Sequence, residues 1–216
     1  MAELKALIVD YGGVLTSPLL GSMNSWVDEE GIDPEGFRVA MRDWLGTSYG
    51  TDATDSPVHA LERGEVEVPE FEQQLASRLT TVDGRPVEAA GLLTRMFAGF
   101  GWEPSMSEAV RHAKASGLKT ALLSNSWGNE YPREGWHELF DVVVISGEVG
   151  MRKPEARIFH LAAERLGLAP EACVFVDDLA PNIVGASEVG MVGVHHVTAQ
   201  QTIEELEALF GISLRG

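Results

Sequence analysis

The 216-residue sequence predicts an α/β fold, a doubly wound parallel sheet interrupted after its first strand by a helical insertion. Three observations carry this. Short, nearly continuous apolar runs recur along the chain, the composition of strands buried on both faces. Helical patterns alternate with them, as where parallel strands are joined by crossovers. Residues 17–100 break the alternation and read as helices alone.

In chain order, the first strand is expected at residues 4–9 and stops at Asp10. Within the insertion, Asp33-Pro34 opens one helix and Ser56-Pro57 another, proline being suited to a first turn. Residues 69–79 and 86–97 read as two more. The stretch 46–55, rich in Gly, Thr, Ser and Asp, is a mobile loop by composition. Beyond the insertion, strands are expected at 118–123, 142–145, 173–176 and 191–194. A helix over 107–116 ends at Gly117, and one over 154–166 begins with proline and ends at Gly167. In the latter, Ile158, Leu161, Ala162 and Leu166 form one apolar stripe at helical spacing. A last helix covers 202–210. The expected division is a core of residues 1–16 and 101–216 and a helical domain of 17–100.

Composition narrows the function. With 44% apolar and 23% charged residues the chain is globular rather than disordered. Its apolar runs fall far short of the ~20 residues of a membrane span. The start lacks a basic region, a long apolar stretch and a small-residue cleavage site, so secretion is not expected. Cys173 is the single cysteine, which excludes an intrachain disulfide and a thiolate cluster and makes a reducing cytoplasm the expected location. Sixteen basic against 33 acidic residues give a formal charge of −17, which repels nucleic acid and anionic membrane. An anionic substrate would need a local cation.

In open parallel sheets ligands bind beyond the carboxyl ends of the strands. Four such places carry chemistry here: Asp10-Tyr11-Gly12-Gly13-Val14, then Ser124 and Asn125, then Lys153 just before a helix start, then Asp177 and Asp178. A carboxylate, a hydroxyl, a lysine and an acidic pair on one sheet edge suit phosphoryl transfer. Asp10 can attack phosphorus, splitting the transfer into two easier steps. Magnesium, with oxygen ligands from Asp10 and Asp178, would bridge the two anions, while Lys153 and the Ser124 hydroxyl neutralise and orient the phosphoryl oxygens. Each residue also has a plainer reading. Asp10 could be a turn residue, Ser124 a helix cap, Lys153 a surface lysine, and the acidic pair a solvated loop.

At these residues the chain resembles the haloacid dehalogenase-like hydrolase superfamily, whose four motifs occur here in order. Asp10-Tyr11-Gly12-Gly13-Val14 is similar to the first motif, Ser124 to the second, Lys153 to the third and Asp177-Asp178 to the fourth. Gly150-Met151-Arg152-Lys153-Pro154-Glu155, and Val174-Phe175-Val176-Asp177-Asp178 with Asn182, resemble the bacterial sugar-phosphate phosphatases and the amino-terminal phosphatase domain of soluble epoxide hydrolase. The resemblance implies a Rossmann-like core with a helical cap of the C1 type, and a magnesium-dependent phosphatase of a small phosphorylated metabolite. It implies Asp10 as nucleophile, with Ser124 and Lys153 catalytic beside it and binding the phosphoryl group; Asn125, next to Ser124, and Trp127, three residues beyond it, are read from their positions as further substrate contacts. Asp10, Asp178 and the backbone carbonyl of Gly12 would bind the metal, with Asp177 supporting Asp178 and Asn182 anchoring the loop. Most members carry an acid-base aspartate where this chain has Gly12, though some relatives share the glycine. Two rival readings follow: a non-catalytic protein that binds a phosphorylated ligand, and a haloacid dehalogenase, against which the acidic pair speaks.

Three side readings complete the survey. His195 and His196, neighbours on a strand, point to opposite faces and do not chelate one ion. Trp26 and Trp44 are weaker candidates for substrate contact than Trp127. Cys173, at the start of a buried strand, is inert. Oligomeric state and substrate identity are not written in the sequence.

Overall fold

The computed structural model describes residues 3–45, 56–128 and 131–215. The loop expected at 46–55 lies outside the described residues. Five parallel strands, β1 (Ala6–Val9), β2 (Lys119–Ser124), β3 (Val142–Ile145), β4 (Cys173–Asp177) and β5 (Val192–His195), form one sheet in the order β3-β2-β1-β4-β5. The first strand is therefore central, with β2 on one side and β4 on the other.

Alternate side chains of these strands feed two separate layers, as the pleat requires. Leu7, Val9, Leu122, Val174 and Val176 pack with Met106, Val110, Ile203 and Leu206. The last four belong to α6 (Pro104–Ala115) and α11 (Ala199–Phe210). On the opposite face Ala6, Ile8, Ala121, Leu123 and Phe175 meet Ile158, Phe159, Ala162 and Ala186 from α9 (Ala156–Leu166) and α10 (Ala180–Glu188). Both faces are covered, which is why the strands read as unbroken apolar runs. Two short helices, α7 (Trp136–Leu139) and α8 (Ser146–Val149), flank β3.

Between β1 and α6 lie α1 (Leu19–Glu29), α2 (Pro34–Leu45), α3 (Pro57–Glu62), α4 (Val68–Ala76) and α5 (Leu92–Phe97). They enclose a third apolar cluster that includes Trp26, Phe37, Trp44, Phe71, Leu75 and Met96. The indoles of Trp26 and Trp44 are buried in it against Phe37 and Phe71. Almost all of their surface is taken by this packing, in keeping with their rank as the weaker candidates for substrate contact. The insertion joins the core where Thr16 bridges Trp102 and Ser17 N donates to the Gly101 carbonyl at 2.8 Å.

Several boundaries differ from expectation. The helix expected from Pro154 starts at Ala156, because Glu155 is still extended at the N-cap and Lys153-Pro154 form the preceding turn. The helix expected over 86–97 starts at Leu92, since Thr80 bridges Pro86 and Thr81 N bonds the Arg85 carbonyl at 2.9 Å. α6 begins at Pro104 rather than 107, with the Glu103 carboxylate accepting from Ser105 N at 3.1 Å. α1 falls in the stretch read as helical, although no start was marked for it. No helix among the described residues is long and apolar enough to cross a membrane.

Candidate active site

Asp10 is the first residue past β1, and its backbone N–H extends the ladder to the Val176 carbonyl at 2.9 Å. Asp177 ends β4 next door, and Ser124 ends β2 on the other side. The strand order thus brings the first, second and fourth of the expected positions to one edge. Lys153 reaches them from the turn after β3 and α8. Its ammonium, almost wholly buried, lies 2.7 Å from Asp10 Oδ1 and 2.6 Å from Asp177 Oδ2.

The two neighbouring acids differ in what they touch. Asp177 is fully engaged: besides Lys153 it accepts Asn182 Nδ2 on both oxygens, at 2.9 and 3.1 Å, and Leu179 N at 2.8 Å. Asp178 Oδ1 is buried with no hydrogen-bond partner. Its other oxygen sits so close to Gly13 that a Cβ there would lie 2.2 Å away, and Gly13 has φ +76°. Space and backbone conformation therefore both call for glycine.

One carboxylate oxygen from each of Asp10, Asp177 and Asp178 lies within 4.8 Å of the other two. Burial raises the Asp10 pKa to about 8, with Asp177 and Asp178 adding to the rise and Lys153 opposing it. Asp178 is raised to about 6, by burial and then by Asp177. Burial works against the Lys153 ammonium, yet Asp10 and Asp177 outweigh it and hold its pKa above the ordinary lysine value. Three carboxylates thus face one ammonium and are short of positive charge. Together with the unpartnered Asp178 oxygen, this all-oxygen set fits a hard divalent cation.

Ser124 and Asn125 are tied into the same edge. Ser124 Oγ and the Tyr131 hydroxyl share a hydrogen bond of 2.9 Å. Asn125 clasps the Lys153 backbone, accepting from its N–H at 2.9 Å and donating to its carbonyl at 3.1 Å. Tyr131 was missed by sequence reasoning. Burial pushes its phenol up to about 12, and its ring meets Tyr11 edge-on at 5.0 Å. Trp127, expected to touch substrate, is half-buried; it packs on Phe71 and Phe97 and donates its Nε1–H to Glu62 Oε1 at 3.1 Å. His195 Nε2–H donates to the Asp178 carbonyl at 2.9 Å, while His196 Nδ1 pairs with Thr202 Oγ1, so the two histidines do face different partners. Cys173 is buried, and burial lifts its thiol to about 11.

Beside the cluster a cavity of about 560 Å³ opens between insertion and core, lined among others by Leu61, Val66, Val68, Ser126, Tyr131 and Ile145. Tyr131 links it to Ser124; the carboxylates themselves are not in its wall.

The family model of the haloacid dehalogenase-like hydrolases matches residues 4–190. Acyl-CoA dehydrogenase family member 10 of Mus musculus is 28% identical over 97% of this chain, which spans 19% of that protein's length. A sesquiterpene phosphatase of Aspergillus oryzae is 29% identical, over 96% of this chain and 97% of its own. Among solved structures, a HAD family enzyme of Bacteroides thetaiotaomicron in complex with magnesium and inorganic phosphate shares the fold. Its TM-score is 0.60 at 20% identity, covering 90% of this chain and 94% of that one.

Proposed function

Since the chain belongs to the haloacid dehalogenase-like hydrolases, we propose that it is a magnesium-dependent phosphatase of a small phosphomonoester, with Asp10 as nucleophile. The observation that carries this is the Asp10 carboxylate held against the buried Lys153 ammonium, within reach of two further acids. The phosphatase named among the relatives and the magnesium and phosphate bound by the Bacteroides enzyme support the same reading.

Asp10, Asp178 and the main-chain carbonyl of Gly12 would hold magnesium, with Asp177 supporting the loop. When bound, the ion neutralises charge so that a carboxylate and a phosphate dianion can meet. Asp10 attacks phosphorus, the ester P–O bond breaks, and its electrons leave on the ester oxygen. Water then cleaves the aspartyl-phosphate, releasing phosphate and restoring the carboxylate. Lys153 orients Asp10 and offers its ammonium to a phosphoryl oxygen. The Ser124 hydroxyl and Asn125 act beside it. Residues 17–100 serve as a helical cap over a core of 1–16 and 101–216, with the cavity receiving the leaving group. A cytoplasmic location goes with a lone, buried cysteine.

Gly12 supplies no side-chain proton donor. That favours one second reading, a protein that binds a phosphorylated ligand without turnover. The haloacid dehalogenase alternative is weaker, because an acidic group short of cations serves no purpose in attack on carbon. Assay with 4-nitrophenyl phosphate decides. Hydrolysis is expected with magnesium and not with chelator, and Asp10→Asn should abolish it while the protein stays folded. Undiminished turnover in Asp10→Asn would refute the nucleophile assignment, and phosphate binding without turnover in the wild type would establish the second reading.

A further inference from the structure

Glu62, the last residue of α3, belongs to the insertion, yet its carboxylate is buried among core residues. Oε1 accepts from Trp127 Nε1, and Oε2 pairs with Arg152 Nε. Neither donor is arbitrary. Trp127 stands three residues beyond Ser124, and Arg152 directly precedes Lys153. Those same two loops are already cross-linked by the Asn125 clasp on the Lys153 backbone. The bonds close a circuit: Glu62 to Trp127, along the chain to Asn125, across to Lys153, to Arg152, and back to Glu62.

Around this circuit the insertion sits tightly on the core. Arg63 Nη1 lies 3.4 Å from Glu155 Oε1, and a Cβ on Gly64 would stand 2.7 Å from the Gly147 carbonyl. Arg152 is almost fully buried, so its guanidinium has exchanged water for the Glu62 carboxylate. Moving α3 away would strip both buried charges of a partner and release both loops together.

We propose that Glu62 is a positioning residue by which the seated insertion fixes the Ser124–Asn125 loop and Lys153 at the spacing that grips a phosphoryl group. The inference rests on the phosphatase reading and deepens it: seating the insertion and holding phosphate are one event. Linkage makes the effect reciprocal, so a bound phosphate favours the seated insertion by the factor that seating favours phosphate.

Two variants test it. Glu62→Gln retains size and an acceptor for Trp127 but loses the charge facing Arg152. Trp127→Phe retains the ring and loses the N–H. Inorganic phosphate inhibition and KM for 4-nitrophenyl phosphate are measured in each, with the magnesium concentration for half-activity as control. Glu62→Gln should weaken phosphate inhibition and raise KM by about tenfold, and Trp127→Phe by less, with the magnesium requirement unchanged in both. A lower melting temperature with phosphate inhibition unaltered would make Glu62 merely structural and overturn the proposal. If Glu62→Gln does not fold, Trp127→Phe decides the matter by the same criterion. A wild-type protein that neither hydrolyses the ester nor is stabilised by inorganic phosphate defeats the phosphatase reading instead, and the inference falls with it.

Discussion

Asp177 and Asp178 are adjacent in sequence and opposite in circumstance, and substitution should separate them. Asp177 holds the buried Lys153, Asn182 and Leu179 N, so Asp177→Ala leaves a desolvated ammonium with one partner fewer. Breaking such a pair costs about 3–5 kcal/mol, and the variant should melt much lower or fail to fold. Asp178→Ala removes an oxygen that has no protein partner and should leave stability nearly unchanged while raising the magnesium requirement steeply. Calorimetric unfolding and magnesium titration of both variants check this; equal losses of magnesium affinity would mean that the acids share the ion. The sequence already distinguished Asp10, Ser124 and the Asp177-Asp178 pair, because each stands at the end of an apolar run, whereas Lys153 comes from the turn beyond α8 and was marked by the helix start that follows it. It could not disclose Tyr131, which belongs to a segment with no periodicity and touches Ser124 only through the fold. Nor could it disclose Glu62, an acid among fifteen in residues 17–100 until α3 turns it inward.

At the scale of elements, the β1 tip and the β4 tip are fitted to each other through Gly13. Gly13→Ala would place a methyl against the Asp178 carboxylate and force L-residue geometry at φ +76°, a conformation that costs roughly 1–2 kcal/mol by itself. Weaker magnesium activation, by about tenfold or more, and a lower melting temperature are expected together. Unchanged magnesium activation would mean the Asp178 carboxylate can move aside without loss. The strands were legible because both faces of the sheet are covered, which forces apolar residues at most positions and most completely in the central β1. Helix starts were less so. Pro154 has the residue type of a first turn, yet it sits in a turn with Lys153, whose backbone exchanges two hydrogen bonds with Asn125, and Glu155 is still extended before the helix begins at Ala156. Likewise the turn at Thr81–Arg85 and the Thr80 bridge delay α5 past Pro86.

For the molecule as a whole, the charge imbalance at the site links metal, pH and stability. Burial and mutual repulsion raise Asp178 to about 6 and Asp10 further, so the metal-free folded chain binds more protons than the unfolded chain above the ordinary carboxylate range. Stability from these groups therefore falls as pH rises from about 4 to about 8, and magnesium should restore most at the upper end. A hundredfold excess over its dissociation constant stabilises by about 2.7 kcal/mol, so the magnesium-induced rise in melting temperature should be larger at about pH 8 than at about pH 5.5. Equal rises would show that the cluster is not strained by its own charge. Gly12 makes the other global prediction. With no side chain to protonate the departing oxygen, turnover should depend steeply on leaving-group pKa, favouring aryl, acyl and sugar-1-phosphates over alkyl phosphates. Similar rates across that series, with chemistry rate-limiting, would mean that another group, Tyr11 first among those to test, supplies the proton.

The central place of β1 also governs the order in which the protein comes into being. Its strand is synthesised first, yet Ala6 pairs with Lys119 and Cys173, partners roughly 110 and 170 residues downstream, contacts of the long-range kind that form slowly. While the ribosome delivers the insertion, Asp10 ends an apolar strand with two open edges and no lysine beside it. Its cation arrives with residue 153, and the acidic pair with 177 and 178. Until those residues are made, the nascent chain carries β1 as an apolar strand with unpaired edges, an aggregation hazard. Asp10 gains its acidic and cationic neighbours late, when β4 pairs with β1 and leaves only β5 to add at the edge.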